Sequence, residues 1–338
     1  MGGKAIKVAQ RVNKERYDSI YERIKPIIED RFDTVVHRIK SFHNKQDFGD
    51  LDLLILSDNI EYDIIERIKE VFNPLEISDN AAKFEGGSRV ISFNVEELQV
   101  DFIMTPSYNW NTSVIFFEHG DLGNYIGKLI NSYGDVKKYR YVLKYGSDGL
   151  KCKINYKSKV KTIYITKNMF RVFSFIGLDF NRWKAGFNER EDMFDYVITS
   201  KFFHHRCFQW EELNSINRQR NYKRPNYQVF LDYIEEYKDV PFTWDKPPMH
   251  YINEIKFEFG VDLYAEMCAF ETEVETNKMI KDKINGNHII KWFPDFPKKS
   301  FEEALLGFRT IHSAKYFEEV DDDILETDFR TYISTTFQ

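Results

Sequence analysis

Phe48-Gly49-Asp50-Leu51-Asp52-Leu53-Leu54-Ile55-Leu56 is an apolar run that follows a glycine and carries two aspartates one residue apart. Its length and apolar content predict a strand over 50–56. Successive strand side chains point to opposite faces, so Asp50 and Asp52 project together, about 6 to 7 Å apart along the chain. Divalent cations can share such a pair. A second apolar run, Leu98-Gln99-Val100-Asp101-Phe102-Ile103-Met104, places a third acid inside a strand-like segment. A charge there is costly unless it is paired or bound to metal. Asp50, Asp52 and Asp101 are therefore expected to gather around Mg²⁺, whose preference is for hard oxygen donors, with Mn²⁺ suited to the same set.

Working outward, the elements around these runs describe an α+β fold. Residues 7–40 read as helix, with Val8, Val12, Tyr17, Ile20, Ile24, Ile27 and Ile28 at mostly helical spacing and Pro26 marking a kink or break. Asn59–Phe72 reads as an amphipathic helix capped by Asp58 and ended by Asn73-Pro74. Phe84–Ser88 reads as a turn before a strand pair over 90–95 and 99–104. Thr166–Ile176 reads as a helix closed by Gly177.

Composition narrows the class. The chain has 338 residues, 42% of them hydrophobic, with 30 Phe and 20 Tyr, which supports a large core and more than one domain. Three widely spaced cysteines argue against a disulfide framework and predict a reducing, cytoplasmic-type setting. No apolar run reaches the roughly 18 residues of a membrane span, so no membrane partner is expected. The net charge of −6 speaks against a polyanionic partner only if charge is spread evenly. It is not. Lys151, Lys153, Lys157, Lys159 and Lys161 fall on odd positions, as on one face of a hairpin turning near Asn155. Arg218-Gln219-Arg220-Asn221-Tyr222-Lys223-Arg224 forms a second basic cluster, with Tyr222 interleaved. Each cluster has two readings, solvated surface or phosphate contacts, and the second is favoured for the arginine cluster.

Residues 41 to about 150 resemble the palm of the DNA polymerase β nucleotidyltransferase superfamily, and most closely that of the family X DNA polymerases. Three features carry the resemblance: Ser41 followed by a short loop and Gly49-Asp50-Leu51-Asp52; Val100-Asp101-Phe102-Ile103-Met104-Thr105-Pro106; and the aromatic, Gly and Asn segment Ser113–Asn124. What the resemblance implies is transfer of a nucleoside monophosphate from a (d)NTP to a nucleic-acid 3′-hydroxyl, with two Mg²⁺ ions about 3.5 to 4 Å apart at the reacting phosphate. Asp50 and Asp52 would then bridge both ions, and Asp101 would serve the ion that activates the hydroxyl. Nucleotide contacts are implied for Ser41, Lys45, Gly49, Arg89, Phe116, Phe117, Gly120 and Asn124, and nucleic-acid contacts are expected of Lys151, Lys153, Lys157, Arg218, Arg220, Lys223 and Arg224.

Several assignments stay open between two readings. Gly86-Gly87-Ser88-Arg89 is a phosphate cradle or an ordinary hairpin turn. Phe116 and Phe117 stack on a sugar or base, or fill the core. The expected segments are a palm with an N-terminal helix at 1–150, a thumb-like region at 151–203, and a mainly helical nucleic-acid-binding region at 204–338, with Pro241, Pro247 and Pro248 marking a linker. Arg218–Pro225 and Lys283–Pro294 look similar to parts of tRNA CCA-adding enzymes, which keeps RNA beside the favoured DNA. Transfer to a protein or small molecule is a further alternative. His204-His205-x-Cys207 lacks the partners that would complete a zinc site.

Overall fold

The computed structural model describes residues 5–58, 60, 63–80, 88–134 and 140–337. Ten strands are present among them: β1 (Val12–Asn13), β2 (Val36–Arg38), β3 (Asp47–Phe48), β4 (Asp50–Leu56), β5 (Ile77–Asp79), β6 (Val90–Val95), β7 (Leu98–Thr105), β8 (Tyr141–Gly146), β9 (Gly149–Tyr156) and β10 (Lys159–Thr166). The central sheet has the order β2-β4-β7-β6-β5, with β4 and β7 parallel and the other neighbours antiparallel. It is a mixed sheet.

Period-two alternation explains its two faces. Leu51, Leu53 and Ile55 of β4 and Val100 and Phe102 of β7 turn into one core with α1 (Lys14–Arg31) and α2 (Ile64–Phe72). On the other face Leu54 and Ile103 meet Trp110, Val114 and Phe117 of α3 (Trp110–Phe117). Asp50, Asp52 and Asp101 occupy the remainder of that second face, beyond the cover of α3. Half a sheet face is thus left for a cleft.

α4 (Leu122–Asn131) follows α3 closely, because Gly123 has no Cβ; an added one would lie 2.2 Å from the Phe116 carbonyl oxygen. β8, β9 and β10 make a separate three-stranded sheet. Helices α5 (Met169–Ile176), α6 (Phe180–Ala185), α7 (Arg190–Ile198), α8 (Ser215–Tyr222), α9 (Pro225–Tyr233) and α10 (Pro248–Phe259) complete the first of two compact units, Met1–Ile154 with Thr162–Val261. The second unit, Asn155–Lys161 with Asp262–Gln338, holds α11 (Leu263–Lys283), α12 (Gly286–Trp292), α13 (Phe301–Ile311), α14 (Ala314–Glu319) and α15 (Asp322–Thr336). Its own core gathers Trp292, Phe308, Phe317 and Phe329. These units are not coextensive with the three segments expected at 1–150, 151–203 and 204–338. No helix among the described residues is long and apolar enough to cross a membrane.

Several element boundaries differ from the sequence reading. The helix expected over 7–40 is α1 alone, capped by Asn13, and it runs through Pro26. Val36–Arg38 pairs with β4 instead, Val36 opposite Ile55, a preference set by the sheet edge and invisible to local periodicity. α2 is capped by Asp63, while the Asp58 carboxylate accepts the Ser107 N–H at 2.9 Å. Asn59, Glu61 and Tyr62 lie outside the described residues, as do Gly86 and Gly87 of the expected turn. The lysine hairpin turns at Lys157-Ser158, both with positive φ, and not at Asn155. A two-residue turn at that place makes Tyr156 oppose Lys159, so odd-numbered residues before and after it alternate to opposite faces. The five lysines therefore do not share one face. The proline-rich stretch expected as a linker lies inside the first unit, where Trp244 packs on Tyr133 and Tyr251. Agreement holds for β6 and β7, joined through Glu96 in the left-handed region, and for α5, which ends on Gly177 at φ 75°.

Candidate metal and nucleotide site

Asp52 and Asp101 stand opposite one another on parallel β4 and β7, with Asp50 two residues before Asp52 on the same face. One oxygen from each carboxylate lies within 4.8 Å of the others. Among the described residues this is the one set of three or more His, Cys, Asp or Glu side chains placed to hold a metal ion; His204, His205 and Cys207 are not such a set. Gln99, on the same face of β7, donates Nε2–H to Asp101 Oδ1 at 2.8 Å, and its own Oε1 accepts the Ala5 and Ile6 amides. That bond fixes the Asp101 rotamer.

Electrostatics at the triad follow from crowding of like charge in a poorly hydrated place. Burial first, then the Asp50 and Asp101 carboxylates, hold Asp52 well above the usual carboxylate range, with Lys45 and Arg224 opposing. Burial and Asp50 likewise push Asp101 up to about 6, against hydrogen bonds from Ser92 and Gln99. The donor set fits a divalent cation on chemical grounds: three hard oxygens converge, and their mutual repulsion is what a bound positive charge would relieve.

The triad floors a cleft of about 810 Å³, lined also by Arg11, Ser41, Lys45, Gly49, Phe117, Gly120, Asp121, Arg190, Arg224 and Asn226. Its size is that of a small-molecule site. Lys45 sits over the Phe48 ring at 4.6 Å, and burial lowers its pKa against the pull of Asp50 and Asp52. The other cleft cations have carboxylate partners: Arg11 with Asp47 at 2.5 Å, Arg190 with Glu191 at 2.7 Å, and Arg224 with Asp121. Gly120, at φ 66°, lets the chain turn from α3 into α4 at the cleft wall.

Of the residues expected at the nucleotide, Ser41, Lys45, Gly49, Phe117 and Gly120 thus reach the cleft. Three do not. Arg89 pairs with Asp79 at 2.7 Å and lines a separate cavity with Tyr108 and Tyr164. Phe116 packs on Phe117 and Tyr145, because its side of α3 faces the core. Asn124 donates Nδ2–H to Asn221 Oδ1 at 3.1 Å and ties α4 to α8. Of the basic residues expected to contact nucleic acid, Arg224 is the one that lines the cleft. Lys151 is paired with Asp148, Lys157 with Glu275 at 2.5 Å, and Lys153, Arg218, Arg220 and Lys223 are exposed. Sequence reasoning missed Arg11, Asp121, Arg190 and Asn226, which come from distant elements and carry no local pattern. Comparison of the chain with protein-family models and with curated protein sequences gave no match.

Proposed function

We propose that this chain is a metal-dependent nucleotidyltransferase whose mixed sheet is a palm of the DNA polymerase β type, acting on a (d)NTP and a nucleic-acid 3′-hydroxyl. The observation that carries the proposal is the convergence of Asp50, Asp52 and Asp101 at the floor of a cleft that also presents Lys45, Arg11, Arg190 and Arg224. Asp50 and Asp52 would hold divalent ions jointly, and Asp101 would complete the set. When bound, such ions supply positive charge at the entering and departing oxygens.

The residues of the chain do the rest. Lys45, which has no carboxylate partner among the described residues, would meet the triphosphate, with Ser41 beside it. Phe117 and Gly120 border the space for sugar or base. The attacking hydroxyl oxygen bonds to the α-phosphorus as the bond from that phosphorus to the bridging oxygen breaks, and pyrophosphate departs with the electron pair. The hydroxyl proton would pass to a carboxylate oxygen of Asp101, which stands with Asp50 and Asp52 where the hydroxyl would be activated.

The test is incorporation of labelled dNTPs and NTPs on gapped DNA, on a primer–template and on tRNA lacking its 3′ end, with Mg²⁺, with Mn²⁺ and with chelator. Incorporation that requires metal and is lost in Asp52→Asn is expected. DNA is the favoured acceptor; preference for the tRNA end would select the CCA-type alternative. Turnover only with a protein or small-molecule acceptor would replace the nucleic acid, and no turnover with any acceptor would overturn the proposal.

A further inference from the structure

Five cations of the first unit, carried by α4, α8, the start of α9 and the β8–β9 pair, form a connected stripe that starts at the acid cleft. Arg224 lines the cleft, and Arg220 precedes it by four residues at the end of α8. The Asn124–Asn221 hydrogen bond holds α8 against α4, which bears Lys128. Lys144 of β8 reaches back to α4, its Nζ donating to Asn131 Oδ1 at 2.6 Å, one helical turn from Lys128. Lys153 of β9 stands opposite Val142, two residues from Lys144 and on the same face of the strand pair.

This stripe is poorly neutralised. Asp121 serves Arg224, and among the described residues no carboxylate pairs with Arg220, Lys128, Lys144 or Lys153. Lys128 is the decisive member, because it is only 7% exposed, its Nζ lies 5.8 Å from the Tyr227 ring centroid, and the charges that act on it include Arg220, Lys144 and Arg224. Burial and those cations push its pKa down to about 8. A buried ammonium among other cations is unfavourable until an anion arrives. Nearby, Asn221 is 1% exposed and its Nδ2 has no hydrogen-bond partner. Tyr222, 86% exposed on the same helix, offers an open ring face of the kind on which bases stack.

We propose that Arg224, Arg220, Lys128, Lys144 and Lys153 form the track for the sugar–phosphate backbone of the nucleic-acid strand whose end enters the acid cleft. A lone phosphate would need one or two of these groups; a run along two helices and a strand pair fits successive phosphates. The inference rests on the nucleotidyl-transfer reading for what happens at the cleft, but strand binding is measured without turnover.

The experiment is fluorescence anisotropy of a labelled single-stranded oligonucleotide, DNA and RNA in separate arms, in chelator and without nucleotide, over a range of salt. Wild type is expected to bind with a log–log salt slope of roughly −0.7 per phosphate contacted. Lys128→Met, Arg220→Gln and Lys153→Gln should each weaken binding roughly three- to tenfold and flatten the slope by about one contact. Lys128→Met removes an unpaired buried charge, so its melting temperature should hold or rise. Lys153→Gln changes an exposed strand residue, so unfolding cannot stand in for lost binding there either. Unchanged affinity and slope in all three variants, or a mononucleotide bound as tightly as the oligonucleotide, would overturn the track. Strand binding that depends on these residues in a protein with no transferase activity would keep the track and discard the cleft chemistry.

Discussion

At the scale of single residues the crowded acids of the cleft cost the fold stability. Asp101 holds its proton up to about pH 6 in the folded protein against 3.8 for the free side chain, so between about pH 4 and 6 the folded state binds a proton that the unfolded chain has lost. Stability of the metal-free protein therefore falls as pH rises through that window, by about 3 kcal/mol from this group alone, and stays low above it. Asp101→Asn should remove that loss: denaturation in chelator at pH 7.5 should find the variant more stable than wild type by about 1 to 3 kcal/mol, with the difference shrinking toward pH 4. The same substitution should abolish metal-dependent turnover. Mg²⁺ should raise the wild-type melting temperature at pH 7.5 and do so much less at pH 5, where protons compete for the same oxygens. If Lys45 meets the triphosphate as proposed, Lys45→Ala should raise the KM for nucleotide roughly ten- to hundredfold in steady-state kinetics, with a smaller effect on kcat.

At the scale of elements, the cleft depends on how closely α3 and α4 approach. Gly123 permits that approach, and Gly123→Ala would drive a methyl into the Phe116 carbonyl. A cost of about 1 to 3 kcal/mol is expected in chemical denaturation, together with weaker nucleotide binding as Phe117 and Gly120 shift. Glu118, buried just after α3, accepts from the Lys40 amide at 3.2 Å and meets His37 Nε2 at 2.5 Å, so it locks the chain before the Ser41 loop to the α3–α4 turn. Glu118→Ala leaves that amide without its acceptor and should cost about 1 to 3 kcal/mol in the same measurement.

At the scale of the whole molecule, each of the two compact units has a hydrophobic core of its own, and Phe308 is fully buried in that of the second. Phe308→Ala should cost about 3 to 5 kcal/mol, seen in hydrogen exchange as lost amide protection within 262–337. How much of all this the sequence contained varied with the range of the interaction. Alternation in 50–56 was enough to place Asp50 and Asp52 on one face, because strand periodicity is a property of the local backbone; the register of β4 against β7 is what sets Asp101 beside them. The C-terminal ends of α2 and α5 were legible in local sequence too, through Asn73 and Gly177, whereas their first residues were not. Val36–Arg38 was not, since only the exposed edge of β4 makes it a strand. Nor were the parts of the cleft walls where Arg11, Asp121, Arg190 and Asn226 arrive from segments far apart in the chain. The basic clusters illustrate the division most plainly. The chain by itself supplied the positive charge, but packing neutralised Lys151 and Lys157, left Lys128 buried without a counter-charge, and set Arg224 beside the acids, because ion pairing and desolvation depend on which groups meet in space.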